Sequence, residues 1–101
     1  MTDLNALHRQ AASAAALLKT LSHPQRLLIL CVLIENPGTE AGELCKMSGL
    51  SPSATSQHLA RMKAEGLIEG KREARYIRYH IKNEAVVALV HTLKTIYCPG
   101  E

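Results

Sequence analysis

Two groups of side chains in this 101-residue chain are equipped for chemistry: the cysteines Cys31, Cys45 and Cys98, and a run of short hydrogen-bonding residues between Leu50 and Gly66. A thiol is a nucleophile, a redox centre or a soft-metal ligand once ionised, and a small hydrophobe when buried. The N-terminus has Asp3 and no basic segment before an apolar stretch, so no signal peptide is expected and the chain reads as cytosolic. An odd number of cysteines in that setting argues against a disulfide framework and leaves metal binding, redox chemistry and burial open. The histidines add little to a metal reading. On the last helical segment only Glu84 and His91 are available as ligands, and His8, His23 and His80 are expected to face solvent. No Ser-His-Asp or Cys-His arrangement, paired carboxylates or Gly-rich phosphate loop is legible, so an enzyme is not expected.

The stretch from Leu50 to Gly66 reads LSPSATSQHLARMKAEG. Ser51 is a good N-cap, Pro52 suits the first helical position, and Gly66 stands where a helix end needs a residue tolerant of positive φ. Thr55, Leu59 and Met62 recur at helical spacing, which leaves Ser53, Ser56, Gln57, Ala60 and Arg61 on the other faces. A solvated amphipathic helix would carry more Glu and Lys. Small polar groups with one Gln and one Arg suit the floor of a DNA major groove, where they allow close approach and can pair with base edges.

The charge supports that reading. The net charge is only +3, but residues 61–82 hold Arg61, Lys63, Lys71, Arg72, Arg75, Arg78 and Lys82 against Glu65, Glu69 and Glu73. That segment is +4 and the remainder −1, so the basic surface is confined to one region, as phosphate contacts require.

Other elements must hold these residues in place. Leu4, Leu7, Ala11, Ala14, Ala15 and Leu18 predict a first helix, Ala-rich enough for close packing against a second protomer. Ser22 and Pro24 suit the start of a second helix, and Gln25 to Ile34 is apolar almost all round, as a central buried helix should be. Its longest apolar run, Leu27 to Ile34, is far too short to span a membrane. After an Asn36-Pro37-Gly38 turn, Thr39 is expected to open a short helix with Ala41, Leu44 and Met47 facing inward and Glu43 completing a capping box. Gly49 and Leu50 then turn into the polar-faced helix, which makes a helix-turn-helix in outline. Leu67 to Glu69 read as a strand and Gly70 to Ala74 as a charged loop; Arg75, Ile77, Tyr79 and Ile81 alternate with Tyr76, Arg78 and His80, with Tyr79 on the core side. This is a hairpin with a basic tip, a wing beside the recognition helix. Asn83 can cap a last helix carrying Val86, Leu89, Val90, Leu93, Ile96 and Tyr97, with Val87 off the stripe. A terminal helix with two apolar faces needs its own core and a second protomer.

Several segments together carry a resemblance: Leu21-Ser22-His23-Pro24-Gln25-Arg26-Leu27, Gly42-Glu43-Leu44, Ser51 with Ser56-Gln57-His58-Leu59, Glu65-Gly66-Leu67, and the alternating Arg75, Ile77, Tyr79 and Ile81. Over nearly its whole length the chain resembles the ArsR/SmtB family of bacterial winged-helix repressors. The resemblance implies one domain over residues 1–101, mainly α with a β-hairpin, forming a winged helix-turn-helix that dimerises through its first and last helices. It further implies binding to a pseudo-palindromic double-stranded operator that is vacated when an effector binds, with no cofactor. Carried over residue by residue, Ser53, Ser56, Gln57 and His58 would contact the groove, and Arg61, Lys71, Arg72, Arg75 and Arg78 the phosphates or the wing contacts.

Ile29-Leu30-Cys31 and Tyr97-Cys98-Pro99 resemble the branch of the family that senses sulfide through persulfidated cysteines. That implies a switch in which reactive sulfur species bridge Cys31 and Cys98, with Tyr97 packing on the core that holds Cys31. Cys45 lies where arsenic-sensing relatives carry a cysteine-rich segment, but Glu40 and Gly42 occupy the places of its paired cysteines. No metal site is therefore expected. A general oxidant response and a metal response remain the alternatives to sulfur sensing.

Overall fold

The structure, a computed structural model, describes residues 3–100. Five helices and three strands follow in the order α1 (Leu4–Leu21), α2 (Pro24–Glu35), β1 (Thr39–Glu40), α3 (Ala41–Ser48), α4 (Pro52–Ala64), β2 (Ile68–Glu73), β3 (Tyr76–Ile81) and α5 (Glu84–Tyr97). The strands form one antiparallel sheet in the order β1-β3-β2. The core is built from Ile29, Leu30 and Leu33 of α2, Leu44 of α3, Leu59 and Met62 of α4, Val86 and Val90 of α5, and Leu21, Leu67 and Ile68. The central place expected for the second helix is thus observed.

The helix-turn-helix is fixed by short-range chemistry. Gly49 ends α3 in the left-handed region at φ 73°. The Ser48 hydroxyl donates to the Cys45 carbonyl (3.2 Å) and accepts from the Leu50 amide (3.3 Å), while the Cys45 thiol donates to the Leu50 carbonyl (3.2 Å). Ser51 caps α4 by accepting from the Ala54 amide (3.1 Å), with Pro52 in the first turn. At the other end Gly66, at φ 76°, lets its own amide reach the Lys63 carbonyl and the Leu67 amide reach the Met62 carbonyl. That paired closure stops the helix and sends buried Leu67 straight into the sheet.

The structure corrects several expectations. Thr39 and Glu40 do not open the third helix; they form β1, paired with Tyr79 and Arg78 of β3. The Gly38 amide donates to the Tyr79 carbonyl (2.9 Å), which draws the chain alongside β3 before α3 begins. No capping box forms, because Glu40 is the N-cap without a side-chain bond and Glu43 instead pairs with Lys46 (3.7 Å). Ser22 ends α1 rather than starting α2, whose N-cap is His23. Met47 is 49 % exposed, since Leu44 fills the core position of the short α3. The hairpin is also tighter than a charged loop from Gly70 to Ala74: Gly70 to Glu73 belong to β2, and only Ala74 and Arg75 turn the chain, Ala74 at φ 59°. Tyr79 does pack against the core, and Tyr76 is exposed. His80 is half-buried rather than free, with its ring beside Gly38.

α1 buries only Leu21, and Leu4, Leu7 and Leu18 stay exposed. Asn83 caps α5 as expected, accepting from the Ala85 and Val86 amides. At its far end α5 runs past the core, so Ile96 and Tyr97 are 62 % and 79 % exposed. The expected packing of Tyr97 on the core is not observed. No single helix among the described residues is long and apolar enough to cross a membrane.

Candidate functional site

The inward stripe of α4 is Thr55, Leu59 and Met62, all buried, with the Thr55 hydroxyl donating to the Ser51 carbonyl (2.9 Å). Burying that stripe turns Ser53, Ser56, Gln57, Ala60 and Arg61 to solvent on one surface. α3 packs across α4 and β2 runs away from its end, so the polar face stands on a rigid support. Exposed Gln57 carries both an acceptor (Oε1) and a donor (Nε2) on its side-chain amide, the pair of groups that can match an adenine edge in a major groove.

His58 lies differently from the other three residues expected in the groove. It is half-buried, and its Nδ1 accepts a hydrogen bond from Arg26 Nε of α2 (3.2 Å). Burial first, then the Arg26 guanidinium and His23, hold the His58 imidazole below its ordinary range and keep it neutral, as that bond requires. Its ring therefore ties the recognition helix to α2.

The wing holds the remaining expected cations in unequal states. Lys71 pairs with Glu69 (3.6 Å) along β2, and the Arg75 guanidinium lies over the Tyr76 ring (5.5 Å) at the turn. Arg78 Nε pairs with Glu73 (3.3 Å), and its Nη1 donates to the Gly38 carbonyl (3.2 Å), so Arg78 braces the wing against the turn before β1. Arg72 is exposed and has no ion-pair partner among the described residues. Exposed pairs of this kind are weak, about 0–1 kcal/mol, so Lys71 can exchange its carboxylate for a phosphate.

Two of the thiols lie on helices that pack together, and the third lies at the helix-turn-helix turn. Cys31 is half-buried on α2, Cys98 is exposed at the end of α5, and both are free, as is Cys45. α2 and α5 pack together, and a Lys94–Glu35 ion pair joins α5 to the end of α2. Burial pushes the Cys31 thiol up; the Lys94 charge opposes this and Cys98 adds to it. Cys45 is engaged in the helix-turn-helix turn through its bond to Leu50. Among the described residues no three of His, Cys, Asp and Glu converge as a metal ion would need.

Comparison with known proteins places this geometry. Residues 23–70 match the model for bacterial regulatory proteins of the arsR family. The chain is 63 % identical to the HTH-type transcriptional regulator YgaV of Escherichia coli (strain K12), over 98 % of this chain and all of that one. The chain belongs to the ArsR family. Within the family it is also similar to the transcriptional activator HlyU of Vibrio cholerae, 36 % identical over 95 % of this chain and 88 % of the relative. The crystal structure of the transcriptional repressor BigR from Xylella fastidiosa superposes with a TM-score of 0.84 at 34 % identity, covering 96 % of this chain and 98 % of that one. The winged-helix fold of this ArsR-family chain is thereby shown, and its named relatives are regulators of transcription rather than enzymes.

Arg26 is the residue whose part sequence reasoning missed in this ArsR-family chain. It is 8 % exposed and donates from Nη1 to the Thr20 carbonyl (2.9 Å) and from Nε to His58, linking the end of α1, the start of α2 and the recognition helix. The available signal was a lone cation at the head of an otherwise apolar helix.

Proposed function

We propose that the chain is a transcriptional repressor that binds a pseudo-palindromic operator as a homodimer and releases it when reactive sulfur bridges Cys31 and Cys98. What supports this reading is a half-buried thiol on α2 and an exposed thiol at the end of α5, two helices that pack together, in a chain whose α4 offers a polar face for the groove. Ser53, Ser56 and Gln57 read base edges, while Arg61, Lys71, Arg72 and Arg75 meet phosphates. His58 and Arg78 act from behind by holding α4 and the wing.

Dimerisation is supported by the apolar side chains left uncovered on the two terminal helices: Leu4, Leu7 and Leu18 of α1, with Ile96 and Tyr97 of α5. Two recognition helices then enter successive major grooves, with half-sites about 10–10.5 bp apart or a multiple of that. The repressor sense follows the similarity to BigR, a transcriptional repressor. Such a protein works among nucleic acid and thiols in the cytoplasm.

The switch runs from the exposed sulfur inward. The Cys98 thiolate takes the outer sulfur of a low-molecular-weight persulfide, and the thiolate of that donor leaves. Cys31 then attacks Cys98 Sγ, closing a disulfide and expelling hydrosulfide; transfer of further sulfane sulfur before closure leaves inner sulfur in the bridge. A covalent link between α2 and α5 moves the dimer helices against α4. A coupling of about 1–3 kcal/mol is typical of allosteric regulators and lowers operator affinity roughly 5–150-fold. Fluorescence anisotropy on labelled operator tests this. Glutathione persulfide should release the wild type and leave Cys31→Ser and Cys98→Ser bound. Release that persists in both variants refutes the dithiol switch, and equal release by peroxide refutes sulfur selectivity.

A further inference from the structure

Beside the recognition helix, where the end of α1 meets the start of α2, lies a polar groove of about 280 Å³ lined by Lys19, Thr20, His23, Arg26, Arg61 and Glu65. Three cations face one carboxylate there. Arg26 is more than nine-tenths buried, and its Nε and Nη1 are committed to His58 and Thr20, but Nη2 has no protein partner among the described residues. It is not sealed away either, because no buried side-chain nitrogen among the described residues lacks a partner. The first turn of α2 adjoins the same groove without a cap: His23 makes no side-chain bond, Pro24 has no N–H, and the Gln25 and Arg26 amides find no acceptor among the described residues. A fixed guanidinium, two flanking cations and open amides at a helix start together form a receptor for a tetrahedral oxyanion.

We infer that this groove holds a phosphate group, and that its source is the operator backbone alongside α4. The inference rests on the DNA-binding reading above. Arg61 stands one helical turn beyond Gln57 on the exposed side of α4, so a strand whose bases Gln57 reads passes the mouth of the groove. The groove's Lys19, Thr20, His23 and Arg26 side lies outside both α4 and the wing. The contact fixes the angle of α4 on the duplex through α1 and α2, the elements that meet at Arg26.

Two measurements on the full chain test it. In a ¹H–¹⁵N spectrum of the free protein, titrated with inorganic phosphate against chloride at constant ionic strength, the Gln25 and Arg26 amides should shift saturably. The shifts should vanish in Lys19→Ala, a surface change that spares the buried Arg26, and persist in Lys46→Ala. With labelled DNA, Lys19→Ala should weaken operator and random sequence alike and reduce the log K against log salt slope by about 0.9 for each protomer bound. Absence of the amide shifts overturns the phosphate site. Shifts with an unchanged salt slope assign the groove to a free oxyanion and overturn the operator as its source. Failure of the wild type to bind any operator would defeat the DNA reading separately, because the phosphate titration needs no DNA.

Discussion

Replacing His58 with alanine should damage the protein through Arg26 rather than through lost base contacts. Arg26 is 8 % exposed, and His58 Nδ1 is the acceptor for its Nε at 3.2 Å. Removing the imidazole strands a charged donor in a site that water barely reaches, while the Nη1 bond to Thr20 stays intact. Leaving a buried donor unsatisfied costs about 1–3 kcal/mol. With a urea m-value of about 1–3 kcal/mol/M, the unfolding midpoint should fall by roughly 1 M at matched protein concentration. Gln supplies a carbonyl acceptor at similar reach, so His58→Gln should recover most of the loss and bind operator like the wild type. The pH profile separates the two further. Burial, Arg26 and His23 depress the His58 imidazole, and protonation must break the bond from Arg26. Its contribution is complete above the unfolded imidazole value of about 6.5 and is lost as pH falls through that value and the lower folded one. Wild type should therefore lose stability relative to His58→Gln as the solution is acidified below about pH 6.5. A His58→Ala midpoint equal to wild type, or parallel acid profiles for wild type and His58→Gln, would refute the coupling.

Three further outcomes follow from the same geometry. Gln57→Ala should cut discrimination between operator and random DNA by about 1–3 kcal/mol, whereas Arg72→Ala should weaken both equally; competition titrations against random duplex distinguish them. Iodoacetamide at neutral pH should label exposed Cys98 well before half-buried Cys31, whose thiol burial keeps protonated, and a mass-spectrometric time course reports the order. Ala74 occupies the left-handed region at φ 59°, a position that costs an alanine about 1–2 kcal/mol. Ala74→Gly should stabilise the wing by up to about 1 kcal/mol after its own entropy cost, visible as a higher unfolding midpoint.

The legible parts of the chain were those set by neighbours in sequence. Ser51 with Pro52 announced the start of α4 and Gly66 its end, because caps depend on local backbone needs. The alternation from Arg75 to Ile81 revealed β3 because Tyr79 and Ile81, two positions apart, both pack against the core. What stayed hidden depends on distant partners. β1 is two residues long and exists only through Tyr79 and Arg78, some 40 positions away, so no periodicity could betray it. Met47 and Tyr97 look like core residues by type, but the core is already filled at Leu44 and ends at Val90. Arg26 reads as a solvated helix-start cation until the fold brings Thr20 and His58 to it. For the candidate site, the polar face of α4 was readable from spacing. The division of labour among His58, Arg78 and Arg72 was not, since it is decided by which acceptors the fold supplies.

The central claim is that sulfur chemistry at Cys31 and Cys98 sets operator affinity, and intact-mass spectrometry read beside operator binding tests it most directly. Reduced protein treated with glutathione persulfide should yield a Cys31–Cys98 bridge, with sulfur added where the bridge is longer than a disulfide, and lose operator binding in step with bridge formation. Peroxide and glutathione disulfide should do neither at matched exposure. A protein that acquires the bridge and still holds its operator, or that releases it with both thiols unmodified, would contradict the account.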